Sequence, residues 1–93
     1  MTALIRASYG GHTNTCRALV KAGANVEAKA NGGSTPLIRA SAMGHLTTVK
    51  FLVEEGHANV EAKSNAGNTA LGNAKNNGHS DVVAYLRSKG ATE

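Results

Sequence analysis

The amino-acid sequence predicts an all-α solenoid, in which similar helix-turn-helix units stack side by side and are joined by turn or hairpin loops. Three observations predict this fold class. Thr2, Thr35 and Thr69 recur at spacings of 33 and 34 residues, and a Gly-His pair recurs at the same two spacings. The string Asn-Val-Glu-Ala-Lys occurs at 25–29 and again at 59–63. A fixed period of this length is typical of stacked repeats rather than of one irregular core.

Length and composition agree with a single small domain. The chain has 93 residues, of which 41% are hydrophobic and 17% charged, and its formal net charge is +4. No run approaches the roughly 18 consecutive apolar residues that a membrane span requires. We therefore expect one soluble domain over residues 1–93, without membrane association, divided into units of about 1–30, 31–64 and 65–93.

The first helix of each unit is best marked in the second unit, by the string Ser34-Thr35-Pro36-Leu37. A hydroxyl there can cap a helix N-terminus, and proline suits the first helical position because its missing N–H is not needed there. Small and apolar side chains follow, and Gly44 tolerates the left-handed backbone that ends many helices. The string predicts a short helix that stops near Gly44.

The second helix follows from a stripe of apolar residues at three- and four-residue spacings, namely Leu46, Val49, Leu52 and Val53. Gly56 is expected to end this helix. Residues 57–68 are rich in Asn, Ala and Gly, which predicts a long turn or hairpin between units. The change of spacing from 33 to 34 requires one additional residue between Gly56 and Asn59, and His57 is the predicted insertion.

This unit resembles the ankyrin repeat, a 33-residue unit of a β-turn and two helices with the signature Thr-Pro-Leu-His-x-Ala. The matching positions include Thr35-Pro36-Leu37, Ala40, Gly44-His45, Leu52-Val53 and Ala58-Asn59-Val60. The first unit matches at Thr2, Leu4, Ala7, Gly11-His12, Leu19 and Gly23, and the third matches at Thr69, Leu71, Ala74, Gly78-His79, Leu86 and Gly90. The sequence departs from the family pattern where Ile5, Ile38 and Gly72 stand at a position that is often His. Arg6 and Arg39 stand at a position that is often apolar.

The two terminal units differ from the middle one. The first starts directly with its helix at Thr2, without a preceding hairpin, which agrees with a longer parent chain. The third carries Arg87 where the others carry Val20 and Val53, so we expect it to act as a C-terminal cap. Its first helix contains Gly72, and a glycine inside a helix costs about 1 kcal/mol relative to alanine. This helix is expected to fray first.

The sequence predicts no catalytic, metal or cofactor site, and therefore no enzyme. The family resemblance implies that the repeated histidines tie the inter-helix turn to neighbouring backbone, and stacked helices about 8–10 Å apart cannot share one zinc ion. Cys16 aligns with apolar residues and is expected in the core. Gly32 and Gly33 are expected to be turn residues, because the lysine of a phosphate-binding loop is missing.

The resemblance implies a protein-binding module that uses its hairpin tips and the exposed side of its first helices. Tyr9 and Met43 are the strongest predicted contacts, and Lys29 and Lys63 beside them favour an acidic partner. Arg6 and Arg39 are secondary candidates, which pairing with a neighbouring carboxylate would explain equally well. The predicted partner-binding residues are Tyr9, Lys29, Asn31, Ser34, Ala42, Met43, Lys63, Asn65, Asn68, Asn76 and Asn77.

Three further expectations complete the sequence-based interpretation. The alternative function is a weak nucleic-acid or anionic-surface binder that uses dispersed Lys and Arg, which is disfavoured because only three aromatic residues are available for stacking. Self-association through an exposed terminal repeat remains open. A single cysteine and the lack of a signal peptide indicate a reducing, cytoplasmic location.

Overall fold

The computed structural model describes residues 1–92, and within that range it contains six α-helices and no β-strand. Each repeat contributes a first and a second helix. The helices are α1 (Ala3–Tyr9), α2 (Thr13–Lys21), α3 (Pro36–Ala42), α4 (Leu46–Glu54), α5 (Ala70–Asn76) and α6 (Ser80–Ser88). A short 3₁₀ turn, Asn31–Gly33, lies in the loop between α2 and α3. The predicted all-helical repeat fold is confirmed.

The first helix of every repeat begins in the same way, at the threonine that recurs in the sequence. The hydroxyl of Thr2, Thr35 or Thr69 accepts a hydrogen bond from the backbone N–H three residues later, at 3.1, 3.2 and 3.1 Å. Each bond satisfies an N–H that the helix itself leaves without a partner. The predicted caps are therefore confirmed, and Pro36 lies at the start of α3 as expected.

The turn between the two helices of each repeat depends on a glycine. Gly11, Gly44 and Gly78 have φ of 73°, 74° and 75°, a left-handed conformation that side chains with a Cβ rarely adopt. A Cβ on Gly44 would also lie 2.5 Å from Nδ1 of His79, in the next repeat. Glycine is thus required here by the turn and by the close approach of the neighbouring unit.

The helices form two layers that run across the stack. The inner layer consists of α1, α3 and α5, and the outer layer consists of α2, α4 and α6, with contacts both within each repeat and between neighbouring repeats. The core lies between these layers and is made of fully buried side chains from all three repeats, among them Leu4, Leu37, Leu52, Leu71, Val82 and Leu86. Ile5 and Ile38 are also fully buried, so isoleucine fills the position that is often His in the family.

The end of α4 differs from the ends of α2 and α6. After those two helices the left-handed residue is Gly23 or Gly90, whereas after α4 it is His57, with φ of 55°. The residue that follows, Ala58, donates its N–H to Leu52 O at 2.9 Å, as the matching alanines do in the other repeats. The insertion is confirmed, but its assignment to His57 is wrong: His57 aligns with the helix-ending glycines, and Gly56 is the additional residue.

Candidate protein-binding surface

The two predicted anchor residues lie on the inner layer, at the ends of neighbouring first helices. Tyr9 is the last residue of α1, and Met43 is the C-cap of α3. Their side chains are 47% and 42% exposed. Among residues 1–92 the only other large hydrophobic side chain with such exposure is Met1. The structure therefore presents an aromatic ring and a thioether to solvent from adjacent repeats.

The backbone at these helix ends is held by histidines of the next repeat. His45 donates from Nε2 to Tyr9 O at 2.9 Å, and His79 donates from Nε2 to Ala42 O at 3.1 Å. Asn77 donates its amide to the same Ala42 oxygen at 2.8 Å. The structural role predicted for these two histidines is confirmed. His12, at the equivalent position, is exposed and makes no such bond within the described part of the chain.

Two arginines lie on the same inner helices. The guanidinium of Arg39 lies 6.0 Å from the centroid of the Tyr9 ring, and its Nε is buried without a hydrogen-bond acceptor. Arg6 occupies the equivalent position in α1 and is exposed. Within residues 1–92 no carboxylate lies within ion-pair distance of either side chain. The suggestion that a neighbouring carboxylate explains these arginines is therefore wrong.

The hairpin loops stack on one another through their tips. Asn65 donates its N–H to Gly32 O at 2.8 Å, and Gly33 has φ of 83° with no room for a Cβ against Asn65. The glycines at 32 and 33 are thus turn residues, as predicted. Of the eleven predicted contact residues, Ser34 and Ala42 are half-buried, and the others are exposed, namely Tyr9, Lys29, Asn31, Met43, Lys63, Asn65, Asn68, Asn76 and Asn77.

Two glutamate carboxylates on the hairpin side accept hydrogen bonds from the next repeat. Glu27 accepts the backbone N–H of Asn59 at 2.8 Å. Glu61 accepts the hydroxyl of Thr92 at 2.6 Å and its N–H at 3.1 Å, and these bonds lower the pKa of the Glu61 carboxyl. Sequence reasoning missed this role, although the repetition of Asn-Val-Glu-Ala-Lys carried the signal. These glutamates join consecutive repeats.

Two side-chain contacts that involve carboxylates link neighbouring helices of the outer layer. Arg17 makes an ion pair with Glu55, with Nη1 at 2.9 Å from both carboxylate oxygens, and its guanidinium lies 4.8 Å from the Phe51 ring centroid. Tyr85 donates its hydroxyl to Glu54 at 2.5 Å. Burial, together with this bond to a carboxylate, raises the pKa of the Tyr85 hydroxyl. One ion pair and one hydrogen bond to a carboxylate therefore link neighbouring outer helices.

Other features of the structure bear on possible chemistry. Cys16 is fully buried, and burial raises the pKa of its thiol, which disfavours the reactive thiolate. No group of three or more His, Cys, Asp or Glu residues that could hold a metal ion occurs among the described residues. A cleft of about 370 Å³ lies at the boundary between the second and third repeats, between Lys63, Asn68 and Asn76. No helix within residues 1–92 is long and apolar enough to cross a membrane.

These features define a helical repeat protein whose exposed inner layer carries aromatic, thioether and basic side chains. The family model for ankyrin repeats, which describes three copies, matches residues 1–64, more than half of the chain. The chain belongs to the ankyrin repeat family. The third repeat follows the matched residues, but α5 has the same threonine cap and the turn between α5 and α6 has the same left-handed glycine. Ankyrin repeats are general protein–protein interaction modules, and the family is typically non-catalytic.

Two similar proteins illustrate the range of the family. The human Ankyrin repeat and KH domain-containing protein 1 is 48% identical over 55 residues, which cover 59% of this chain and 2% of that protein. One chain of the solved structure "Bd0816 Predatory Endopeptidase from Bdellovibrio bacteriovorus in complex with immunity protein Bd3460" is 35% identical, with a TM-score of 0.91. That match covers 99% of this chain, which spans 48% of the solved one.

Proposed function

We propose that the chain is a non-catalytic module that binds a protein partner on the inner face, defined as the exposed side of α1, α3 and α5 with the hairpin tips. The observation that carries the proposal is the exposure of Tyr9 and Met43 on adjacent repeats. The fold does not need apolar side chains there, because Gly10 and Asn77 occupy the positions equivalent to Met43.

Chemistry supports the choice of these two residues as anchors. Aromatic residues are enriched among the few side chains that dominate binding energy at protein interfaces, and methionine adapts its shape to irregular partner surfaces. Two contacts with the second repeat orient Tyr9. Its backbone oxygen accepts a hydrogen bond from His45, and its ring lies near the guanidinium of Arg39. An anchor that is ordered before binding loses less conformational entropy when a partner docks.

The test is a comparison of two double variants in affinity capture from the source organism, followed by measurement of binding to the captured partner. We expect Tyr9→Ala/Met43→Ala to weaken binding by at least about tenfold, since truncating one hot-spot residue costs roughly 2 kcal/mol. The control is Asn14→Ala/Thr47→Ala, which removes two exposed side chains from the outer helices. Equal binding by the two variants would move the site away from the inner face.

Location and oligomeric state follow as further parts of the proposal. We infer that the module works in the cytoplasm, because its only cysteine is buried as a free thiol in the core. Fractionation of the source cells tests this location. Self-association through a terminal repeat also stays a prediction, and light scattering at two protein concentrations tests it.

A further inference from the structure

We infer that the segment bound on the inner face is acidic and places its carboxylates on Arg6 and Arg39. This inference rests on the proposed function, because it names the chemistry of the partner that occupies the same surface. The occupant is a protein segment with Asp or Glu residues beside an apolar side chain. The carboxylates would meet the two guanidinium groups, and the apolar side chain would pack on Tyr9 and Met43.

The first supporting observation is the difference in charge between the two helix layers. The inner helices carry Arg6, Arg39 and Lys75 and contain no aspartate or glutamate. The outer helices carry both signs, and Glu54 and Asp81 lie within them. Positive charge without intervening negative charge is therefore a property of the inner layer, and the small net charge of the chain does not reveal it.

The second observation is that the inner arginines lack the partners that an outer arginine has. Arg17 is neutralised by Glu55 through two contacts of 2.9 Å. Arg6 and Arg39 each lie four residues after a capping threonine, at equivalent positions of α1 and α3, and within residues 1–92 neither has a carboxylate nearby. Two like charges on neighbouring helices repel each other, and a partner carboxylate would relieve this repulsion.

The third observation concerns two glutamates in the hairpins, whose carboxylates already have partners. Glu27 is bound by the N–H of Asn59, and Glu61 is bound by Thr92, so both stay at the boundaries between repeats. Moving either of them to an arginine would break a contact between repeats. Lys29 and Lys63, which follow these glutamates by two residues, are exposed, and the charge of Lys63 contributes to lowering the pKa of the Glu61 carboxyl, so the positive surface is confined to the inner helices.

The spacing of the arginines limits the geometry of the bound segment. Neighbouring packed helices lie about 8–10 Å apart, and an extended chain rises about 3.3 Å per residue. Two carboxylates that are two residues apart lie on one face of an extended segment, about 7 Å apart, and their flexible side chains can therefore reach both arginines. A guanidinium donates two parallel hydrogen bonds to one carboxylate, which a lysine ammonium group cannot do in the same planar geometry. The half-buried Arg39, whose charge is screened less by water, is expected to contribute more than the exposed Arg6.

The experiment uses three synthetic peptides of equal length as probes, in which leucine and two glutamate, glutamine or lysine residues stand at every second position with serine between them, so that they share one face of an extended chain. Binding to the ¹⁵N-labelled chain is followed by NMR, with the side-chain Nε–H signals of the arginines as reporters. We expect the glutamate peptide to bind at least about tenfold more tightly than the glutamine peptide, because hydrogen bonds between charged groups are roughly twice as strong as neutral ones. The Arg39 and Arg6 signals should shift most.

Three variants complete the test. Arg39→Gln should weaken binding of the glutamate peptide about tenfold, and Arg6→Gln, which is exposed and does not disturb packing, about two- to fivefold. The matched control is Lys21→Gln, which removes the same charge from the outer layer and should change the affinity less than twofold. Arg39→Lys should recover only part of the loss, because lysine keeps the charge without the planar fork.

Several results would overturn the inference. These are equal binding of the glutamate and glutamine peptides, no binding of the glutamate peptide, or an equal effect of Lys21→Gln and Arg39→Gln. Tighter binding of a single-stranded oligonucleotide at the same arginines, with a steep dependence on salt, would assign the surface to nucleic acid instead. A natural partner that is lost with Tyr9→Ala/Met43→Ala but unaffected by Arg6→Gln and Arg39→Gln would contradict only the acidic partner, and would leave the proposed function intact.

Discussion

The inner helices of the first two repeats differ from that of the third in their side chains but not in their backbone. All three begin with a threonine cap and end at a left-handed glycine. The position of Ile5 and Ile38 is occupied by Gly72 in the third repeat. The position of Arg6 and Arg39 is occupied by Asn73. Caps and turn glycines therefore determine the geometry of a repeat, while the residues between them determine its stability and what it can bind.

The second and third repeats also differ in whether another part of the described chain packs against their turn glycines. Gly33 and Gly44 pack against the following repeat, whereas their counterparts Gly67 and Gly78 have no heavy atom within 4 Å of an added Cβ in the described structure. A glycine inside a helix costs about 1 kcal/mol relative to alanine, and α5 contains Gly72, whereas α1 and α3 contain no glycine. We therefore expect the third repeat to be less stable than the first two.

The largest expected effect comes from truncating equivalent core leucines. Leu52 and Leu86 are both fully buried, and replacing either with alanine should cost about 2–5 kcal/mol. Leu52→Ala should destabilise the whole chain, because α4 contacts both other outer helices. Leu86→Ala should unfold the third repeat first and leave α1 protected from hydrogen exchange. Loss of protection in α1 and α6 together in both variants would show that the three repeats unfold as one unit.

A medium effect is expected for the repeated histidines. His45→Ala and His79→Ala should each lower the free energy of unfolding by about 1 kcal/mol, since each removes a hydrogen bond to a carbonyl of the preceding repeat. His12→Ala serves as the control and should change it by at most a few tenths. Urea denaturation measures all three. A loss for His12→Ala as large as for the others would mean that the bonds between repeats are not the cause.

A smaller, stabilising effect is expected at Gly72. Gly72→Ala should raise the free energy of unfolding by about 0.5–1 kcal/mol, because alanine favours helix and the added Cβ would meet only Thr69 Oγ1, at 3.4 Å. It should also slow amide exchange over Ala70–Asn76, the helix that we expect to fray first. The control is Gly78→Ala, which has equal space but a φ of 75° and should destabilise. Stabilisation by both variants would refute the backbone argument.

The smallest effect is expected at His57, the only residue other than glycine with positive φ among residues 1–92. His57→Gly should stabilise the chain by about 0.5 kcal/mol, because glycine removes the left-handed strain but adds entropy to the unfolded state. Gly23→Ala, at the equivalent position after α2, should destabilise it by about 1 kcal/mol. Thermal unfolding measures both changes. Destabilisation by His57→Gly would mean that the histidine side chain itself contributes to folding.

Sequence reasoning predicted the features that depend on local chemistry. The threonine caps, the proline at the start of α3 and the turn glycines each act within a few residues of their own position, so their identity and spacing were sufficient. The periodic pattern then predicted the buried leucines and Cys16. The exposed helix ends that carry Tyr9 and Met43 followed from the same register.

Two kinds of feature could not be predicted. One depends on contacts between repeats, and the other depends on which of two adjacent residues adopts the left-handed conformation after a helix. Whether Arg6 and Arg39 meet a carboxylate depends on which side chains the stacking of repeats brings close to them, and within residues 1–92 no carboxylate lies within ion-pair distance. Similarly, either Gly56 or His57 could have ended α4. The backbone selects His57 because Ala58 must reach Leu52 O. Neither outcome can be worked out from residue spacing alone.

Hydrogen exchange of the chain, measured with and without its captured protein partner, tests directly whether the partner docks on the inner face. If it does, binding should slow exchange in α1, α3 and the hairpin that carries Lys29 and Asn31, while α2, α4 and α6 keep their rates. Protection confined to the outer helices, with α1 and α3 unchanged, would contradict docking on the inner face.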